Sequence, residues 1–138
     1  MKHSITQKHE FGCGVACTAF VSGKSYSKIV SLLDKKKAGS TGFYCKDLMS
    51  ILLKLGFKYE YKYLKPKLKR KIYKDGVIIF VKRSKKYPSG HYLVRYKSHW
   101  MDPWINFRKN ANIINAKSGF RKRVPGKAVY ALFPIGVY

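Results

Sequence analysis

In the first half of the chain apolar residues recur at helical spacing; in the second half they alternate with polar ones. Residues 12–21 are small and apolar around Cys13, with Gly23 as a stop, and this suits a buried helix starting at or just before the cysteine. Ser25 is placed to cap a second helix over 26–34, with Ile29, Leu32 and Leu33 on one face. A polar loop over 35–41 follows. Gly42 then leads into a third helix over 46–55, closed by Gly56 at a position that favours glycine.

Beyond Gly56 the period becomes two. Residues 58–64 alternate aromatic and charged side chains, as a half-solvated strand does. A basic connector over 65–74 contains Pro66. Residues 76–81 form a continuous apolar strand, 82–90 a basic, turn-rich loop, and 91–97 a further strand interrupted by Ser98-His99. After an Asn- and Lys-rich stretch, 127–133 reads as a closing strand. Helices first and an antiparallel sheet afterwards is an α+β order. No repeat or linker divides the 138 residues, so the pattern predicts one domain over 1–138.

The composition agrees with a folded chain. A hydrophobic share of 46% can fill a core, and an aromatic share of 15% is far above what disordered chains carry. The charge is less ordinary: 30 Lys+Arg against 6 Asp+Glu leaves a formal net charge of +24. A field of that size attracts an acidic partner, an anionic surface or nucleic acid, unless the lysines are simply the wet face of a sheet. No segment approaches the ~20 apolar residues a membrane span needs, and no apolar run follows the N-terminal basic residue as a secretory signal requires. Three cysteines, Cys13, Cys17 and Cys45, are an odd count without a dense framework, which points to reduced thiols and a cytoplasmic location.

Cys13 is the residue whose setting suggests chemistry. Unpaired N–H groups and the positive end of the dipole favour a thiolate at a helix start. Gly12 and Gly14 on either side are expected to let a substrate backbone approach closely. Nucleophilic thiol chemistry also needs a base and a group to hold it. His91 opens a strand after Ser89-Gly90 and is expected to project from the sheet edge towards the helix. Asp102 ends the following segment, before Pro103. A hairpin joining the two segments would set the carboxylate beside the imidazole. Cys17, one turn after Cys13, reads as core. A zinc site from His9, Cys13, Cys17 and Cys45 lacks a second matched ligand pair, so no metal or other cofactor is expected.

The segment Gln7-Lys8-His9-Glu10-Phe11-Gly12-Cys13-Gly14-Val15-Ala16-Cys17 resembles the active-site opening of the bacteriocin-processing cysteine peptidases. Those are papain-like domains that remove double-glycine leader peptides, often fused to export ATPases. Their pattern has Gln six residues before a Cys-Gly pair. Thr41-Gly42, Asp47-Leu48 and Leu55-Gly56-Phe57 resemble the third helix of that family, and residues 76–81, His91-Tyr92-Leu93-Val94 and Asp102-Pro103 resemble its second half. The family carries Asp directly before the nucleophile where this chain has Gly12. The resemblance implies a papain-like α+β fold with Cys13 as nucleophile, His91 as general base and acid and Asp102 as its orienter. By the same resemblance, Gln7 and the Cys13 N–H hold the oxyanion. The implied substrate is a peptide or protein, with a Gly-Gly cleavage site, for a free-standing enzyme.

Three classes stay open on the residues alone. The first is peptide hydrolysis. The second is acyl transfer to an amine or thiol by the same Cys, His and Asp. The third is an unused peptidase scaffold that binds nucleic acid or another polyanion. Trp100 and Trp104 around Asp102 either screen the Asp–His pair or fill the core, and His99 is expected to face solvent.

Overall fold

A helix whose every face is apolar has to be surrounded. The first helix, α1 (Cys13–Ser22), is such a helix, and Gly14 through Phe20 are all buried. Gly23 stops it in the left-handed conformation, φ 74°, with its N–H returned to the Ala19 carbonyl. In this computed structural model, which describes residues 2–33, 42–108 and 110–135, two more α-helices accompany it. Helix α2 (Tyr26–Leu32) is capped by Ser25, whose hydroxyl accepts the Lys28 N–H at 3.1 Å. Helix α3 (Cys45–Lys54) starts where the Asp47 carboxylate accepts the Tyr44 N–H at 2.9 Å, and it buries Leu48, Ile51 and Leu52. The polar loop expected over 35–41 and residue 34 of the expected second helix lie outside the described residues.

Six strands follow: β1 (Tyr59–Tyr63), β2 (Ile78–Val81), β3 (His91–Tyr96), β4 (His99–Asp102), β5 (Gly119–Arg121) and β6 (Ala128–Pro134). They form one antiparallel sheet in the order β1-β6-β2-β3-β4-β5, so the closing strand is inserted between the first two. The basic connector between β1 and β2 folds into two short 3-10 turns, Pro66–Leu68 and Lys71–Tyr73. The fold is α+β, helices first, with α1 laid on β3 and α3 against β1.

Both faces of the sheet are covered. Ile78, Tyr92, Val94, Met101 and Leu132 pack with the helices, whereas Ile79, Val81, Leu93, Trp100 and Ala131 pack with Leu64, Ile72 and Tyr87 on the other side. Cover on both faces explains why 77–81 is a continuous apolar run and not an alternating one. Trp100 is fully buried in the second cluster and is a core residue.

The turn between β3 and β4 sets the position of Asp102. Lys97 and Ser98 both take positive φ, 43° and 66°, as a two-residue hairpin turn requires. The Asp75 carboxylate accepts the Lys97 N–H at 3.0 Å and helps hold that conformation. The resulting register pairs Val94 with Met101.

Candidate active site

Alternation along β3 and β4 brings two of the expected side chains together. Tyr92 and Val94 face the helices, so His91 shares the opposite face with Leu93. The register that pairs Val94 with Met101 puts Asp102 on that same face, one diagonal step from His91. The imidazole donates from Nε2 to Asp102 Oδ1 at 2.6 Å. Both side chains are buried: 4% of His91 and none of Asp102 is exposed. β3 is an interior strand, so His91 projects from the N-terminal end of a central strand and not from a sheet edge.

Cys13 is the first residue of α1, and the Tyr92 backbone N–H points to its sulfur at 3.4 Å. The thiol also acts on the His91 side chain, whose proton it helps to hold. With Nε2 given to Asp102, Nδ1 is the ring nitrogen left for sulfur. Cys13, His91 and Gln7 line one cavity of about 300 Å³, walled by Phe43, Phe80 and Trp104. A thiol at a helix start, an imidazole and a buried carboxylate in sequence are the parts of nucleophilic thiol chemistry.

Gln7 reaches this cavity through a backbone tie: its N–H donates to the Pro103 carbonyl at 3.2 Å, joining the N-terminal segment to the residue after Asp102. The side chain is 2% exposed. Its amide nitrogen donates to the carbonyls of His9 at 2.9 Å and Glu10 at 3.1 Å, so both N–H groups hold the turn that leads into α1. The amide oxygen is buried without a protein partner.

The flanking glycines have a different basis from the one expected. A Cβ on Gly14 would lie 3.1 Å from the Leu48 side chain, and one on Gly12 would lie 2.1 Å from the Tyr26 hydroxyl. Both are buried, so they admit α3 and α2 to the nucleophile helix and do not open its surface to a substrate. Gly90 is the glycine that the site geometry requires. Its φ is 78°, and a Cβ there would meet Phe80 at 2.1 Å and the Val81 carbonyl at 2.9 Å.

The electrostatics favour charge on the His–Asp pair. Burial alone would lower the His91 pKa, but hydrogen bonds to Asp102 and Cys13 and their negative charge outweigh it and push it up to about 9. Burial alone would raise Asp102; the bond and charge of His91, the Trp104 N–H and Arg121 together draw it below the ordinary carboxylate value. Burial raises both remaining thiols, Cys17 well above its usual range. All three cysteines are free.

Two residues that the sequence pattern does not single out complete the arrangement. Arg121 on β5 donates from Nη1 to Asp102 Oδ2 at 3.1 Å. The Tyr87 ring stacks on His91, centroids 4.6 Å apart and planes within 1°. Burial and the Asp102 charge push its pKa up to about 12, against the opposing pull of Arg121. The remaining candidates fall elsewhere. His9 bonds the Tyr26 hydroxyl at 2.9 Å, Cys17 is in the core, and half-buried His99 bonds the Lys97 carbonyl. Among the described residues no three His, Cys, Asp or Glu side chains are grouped to hold a metal ion. Nor is any helix among them long and apolar enough to cross a membrane.

No protein-family model matches the chain, and no curated protein sequence matches it. Among solved structures, the chain is similar to the peptidase domain of Streptococcus ComA, described as a bifunctional ABC transporter involved in a quorum sensing pathway. The TM-score is 0.61 at 20% identity, and the match covers 95% of this chain and 96% of that one. At that identity the similarity is one of fold. The chain has an α+β fold like that of a peptidase domain.

Proposed function

We propose that this protein is a cysteine peptidase that hydrolyses a peptide bond with Cys13 as nucleophile. The observation that carries the reading is that Cys13 and His91 line the same open cavity, with the buried Asp102 carboxylate bonded to the imidazole. With His91 protonated and Cys13 ionised, the thiolate attacks the substrate carbonyl carbon and the carbonyl electrons move to oxygen. Cys13's own backbone N–H, in the first turn where helix N–H groups lack helical partners, is placed to stabilise that oxyanion. His91 then gives its proton to the departing amine, leaving a thioester. A water that loses its proton to His91 releases the acid. Asp102 keeps the imidazole ring oriented and its charged form favourable throughout.

Gln7 is the proposed second oxyanion donor. Its N–H groups hold the His9 and Glu10 carbonyls, so that role requires it to exchange one of them, and the 3.1 Å bond to Glu10 is the longer. Loss of one oxyanion donor lowers kcat by roughly 10²–10³. Gln7→Ala with turnover within a few-fold of wild type would remove Gln7 from the chemistry. The substrate class that the sequence resemblance and the similarity to a peptidase domain support is a peptide or protein segment, with a double-glycine site the first to examine.

The experiment is a peptide-library cleavage profile of wild type beside Cys13→Ala, together with a thiol-directed peptidyl probe. Cleavage and a covalent adduct on Cys13, both lost in Cys13→Ala, are the expected result. No cleavage and no adduct in the wild type would overturn the reading.

A further inference from the structure

The sheet carries another groove at the end away from Cys13. It holds about 480 Å³ and lies between the connector that joins β1 to β2 and the strands β1 and β6, with Leu68, Phe133 and Pro134 as its apolar lining. Ile78 pairs with both Val94 and Leu132. Pro134 therefore stands about five residue steps, roughly 17 Å, along the sheet from His91. Among the described residues the two cavities share no lining residue.

Arg70, Lys71 and Lys74 line this groove from the connector. All three are exposed, and none makes an ion pair among the described residues. The carboxylate in the lining, Glu60, is already 3.5 Å from Lys62 Nζ. The connector is pinned, since Leu64 and Ile72 are buried in the core and the Lys65 carbonyl accepts the Leu68 N–H at 2.8 Å. Tyr73 stands beside the three cations. Its ring meets the fully buried Trp100 edge-on at 5.9 Å, and the Arg95 guanidinium lies over both rings at 5.1 Å. Held in this way from inside, Tyr73 is still 56% exposed. Arg95 Nε is buried without a hydrogen-bond partner, and Arg95 makes no ion pair among the described residues.

We infer that this groove binds a single-stranded nucleic acid, with phosphates on Arg70, Lys71 and Lys74 and a base stacked on Tyr73. A polynucleotide alternates an anion with a flat ring, and a row of unpaired cations beside a fixed, open tyrosine matches that alternation. An acidic peptide brings the charge without the recurring ring, and a bilayer is flat where this surface is concave. The inference does not rest on the peptidase reading, because the groove is remote from the thiol.

Fluorescence anisotropy with labelled oligothymidylate and oligouridylate of about eight nucleotides tests it, on wild type and Cys13→Ala alike. Replacing Arg70, Lys71 and Lys74 together by Gln removes three phosphate contacts and should reduce the slope of log Kd against log salt by about 2. The control replaces Lys24, Lys28 and Lys54, three exposed lysines of the helical half, by Gln. It removes the same charge and should leave affinity within about two-fold of wild type at a salt where distant charges are screened. Tyr73→Leu keeps apolar bulk but no ring and should weaken binding roughly five-fold or more, whereas Tyr73→Phe should bind as wild type does. Circular dichroism melts identify any variant that has lost its fold. The tighter-bound of the two oligonucleotides, in this pattern, names DNA or RNA as the source. Equal losses in the two triple variants would overturn the inference and leave only the field of the whole protein. Wild-type affinity in Tyr73→Leu, or an equal loss in Tyr73→Phe, overturns it as well. So does displacement of the oligonucleotide, charge for charge, by polyglutamate or by phosphatidylserine vesicles.

Discussion

Raising the pH through the neutral range should weaken the fold through one buried proton. His91 holds its proton to about 9 in the fold, against an ordinary value of 6.5. Between those values folded His91 keeps a proton that the unfolded histidine has released, so its own contribution to stability falls as pH rises. The contribution is fully present below pH 6.5 and is lost as pH passes about 9. At about 1.4 kcal/mol per pH unit, the proton is worth about 3 kcal/mol, a sizeable part of the 5–15 kcal/mol that holds a domain together. The groups that face the imidazole are Cys13, Asp102 and the Tyr87 ring, with Arg121 behind Asp102. Urea unfolding from pH 5.5 to 9.5 measures the slope, and Asp102→Asn is the comparator because it keeps every cysteine and every other histidine. Wild type should lose about 3 kcal/mol more than Asp102→Asn across that range, less whatever proton the variant's His91 still holds through Cys13. A C-13 titration of the histidine ring supplies the midpoint directly. Equal slopes in the two proteins, or a His91 midpoint near 6.5, would refute the account.

Three other outcomes follow from the same geometry. Arg121→Gln removes the donor that helps keep Asp102 ionised, so Asp102 should begin to protonate at higher pH and the acid limb of kcat/KM should move up; an acid limb that stays in place argues that Arg121 is structural only. Iodoacetamide at neutral pH should label Cys13 ahead of Cys45 and far ahead of the buried Cys17, as mass mapping of the alkylated peptides would report; equal labelling of the folded protein counts against it. Gly90→Ala should cost about 2–5 kcal/mol, combining left-handed strain with overpacking against Phe80, and thermal melts indistinguishable from wild type would contradict the turn that starts β3.

Much of the chain was legible because its signals are local. Ser25 caps α2 and Gly23 ends α1 as the pattern predicts, and the helical and alternating halves divide near Gly56. The observed boundaries of α1, α3, β1, β2, β3 and β6 fall within a residue or two of the expected ones. The unread parts depend on distant partners. Nothing within 128–134 tells that it enters the sheet between β1 and β2, because strand order is decided by which faces are left to cover. The turn at Lys97-Ser98 lacks the Asn-Gly pair that announces a tight hairpin, so the pattern shows a break at Ser98-His99 and leaves the hairpin a condition. The three residues of β5 are too few to show a period.

The site divides along the same line. Cys13, His91 and Asp102 stand out because each sits at the edge of an element, where sequence marks a change of pattern. Arg121 and Tyr87 do not, since one lies in the run Arg121-Lys122-Arg123 and the other in a loop with four cations between 82 and 86. A cation that serves a buried carboxylate has the same sequence signature as one that faces water. Only the pairing of Arg121 with Trp100 across β4 and β5 distinguishes it.

The glycines carry that argument into the mechanism. Gly12 and Gly14 looked like residues that admit a substrate, yet the side chains that would clash with a Cβ are Tyr26 and Leu48, from the two helices that pack on α1. Their smallness lets α2 and α3 close on the helix that carries Cys13. The thiol itself opens on the cavity shared with His91 and Gln7. Gln7 is subject to the same two demands. Its amide nitrogen holds the His9 and Glu10 carbonyls and so fixes the turn into α1, while its oxygen is buried without a protein partner. An amide with both hydrogens engaged and its oxygen unpaired is under pressure to rotate when a ligand brings new partners. As the proposed oxyanion donor, the residue that builds the turn would have to give up one of these bonds to a substrate.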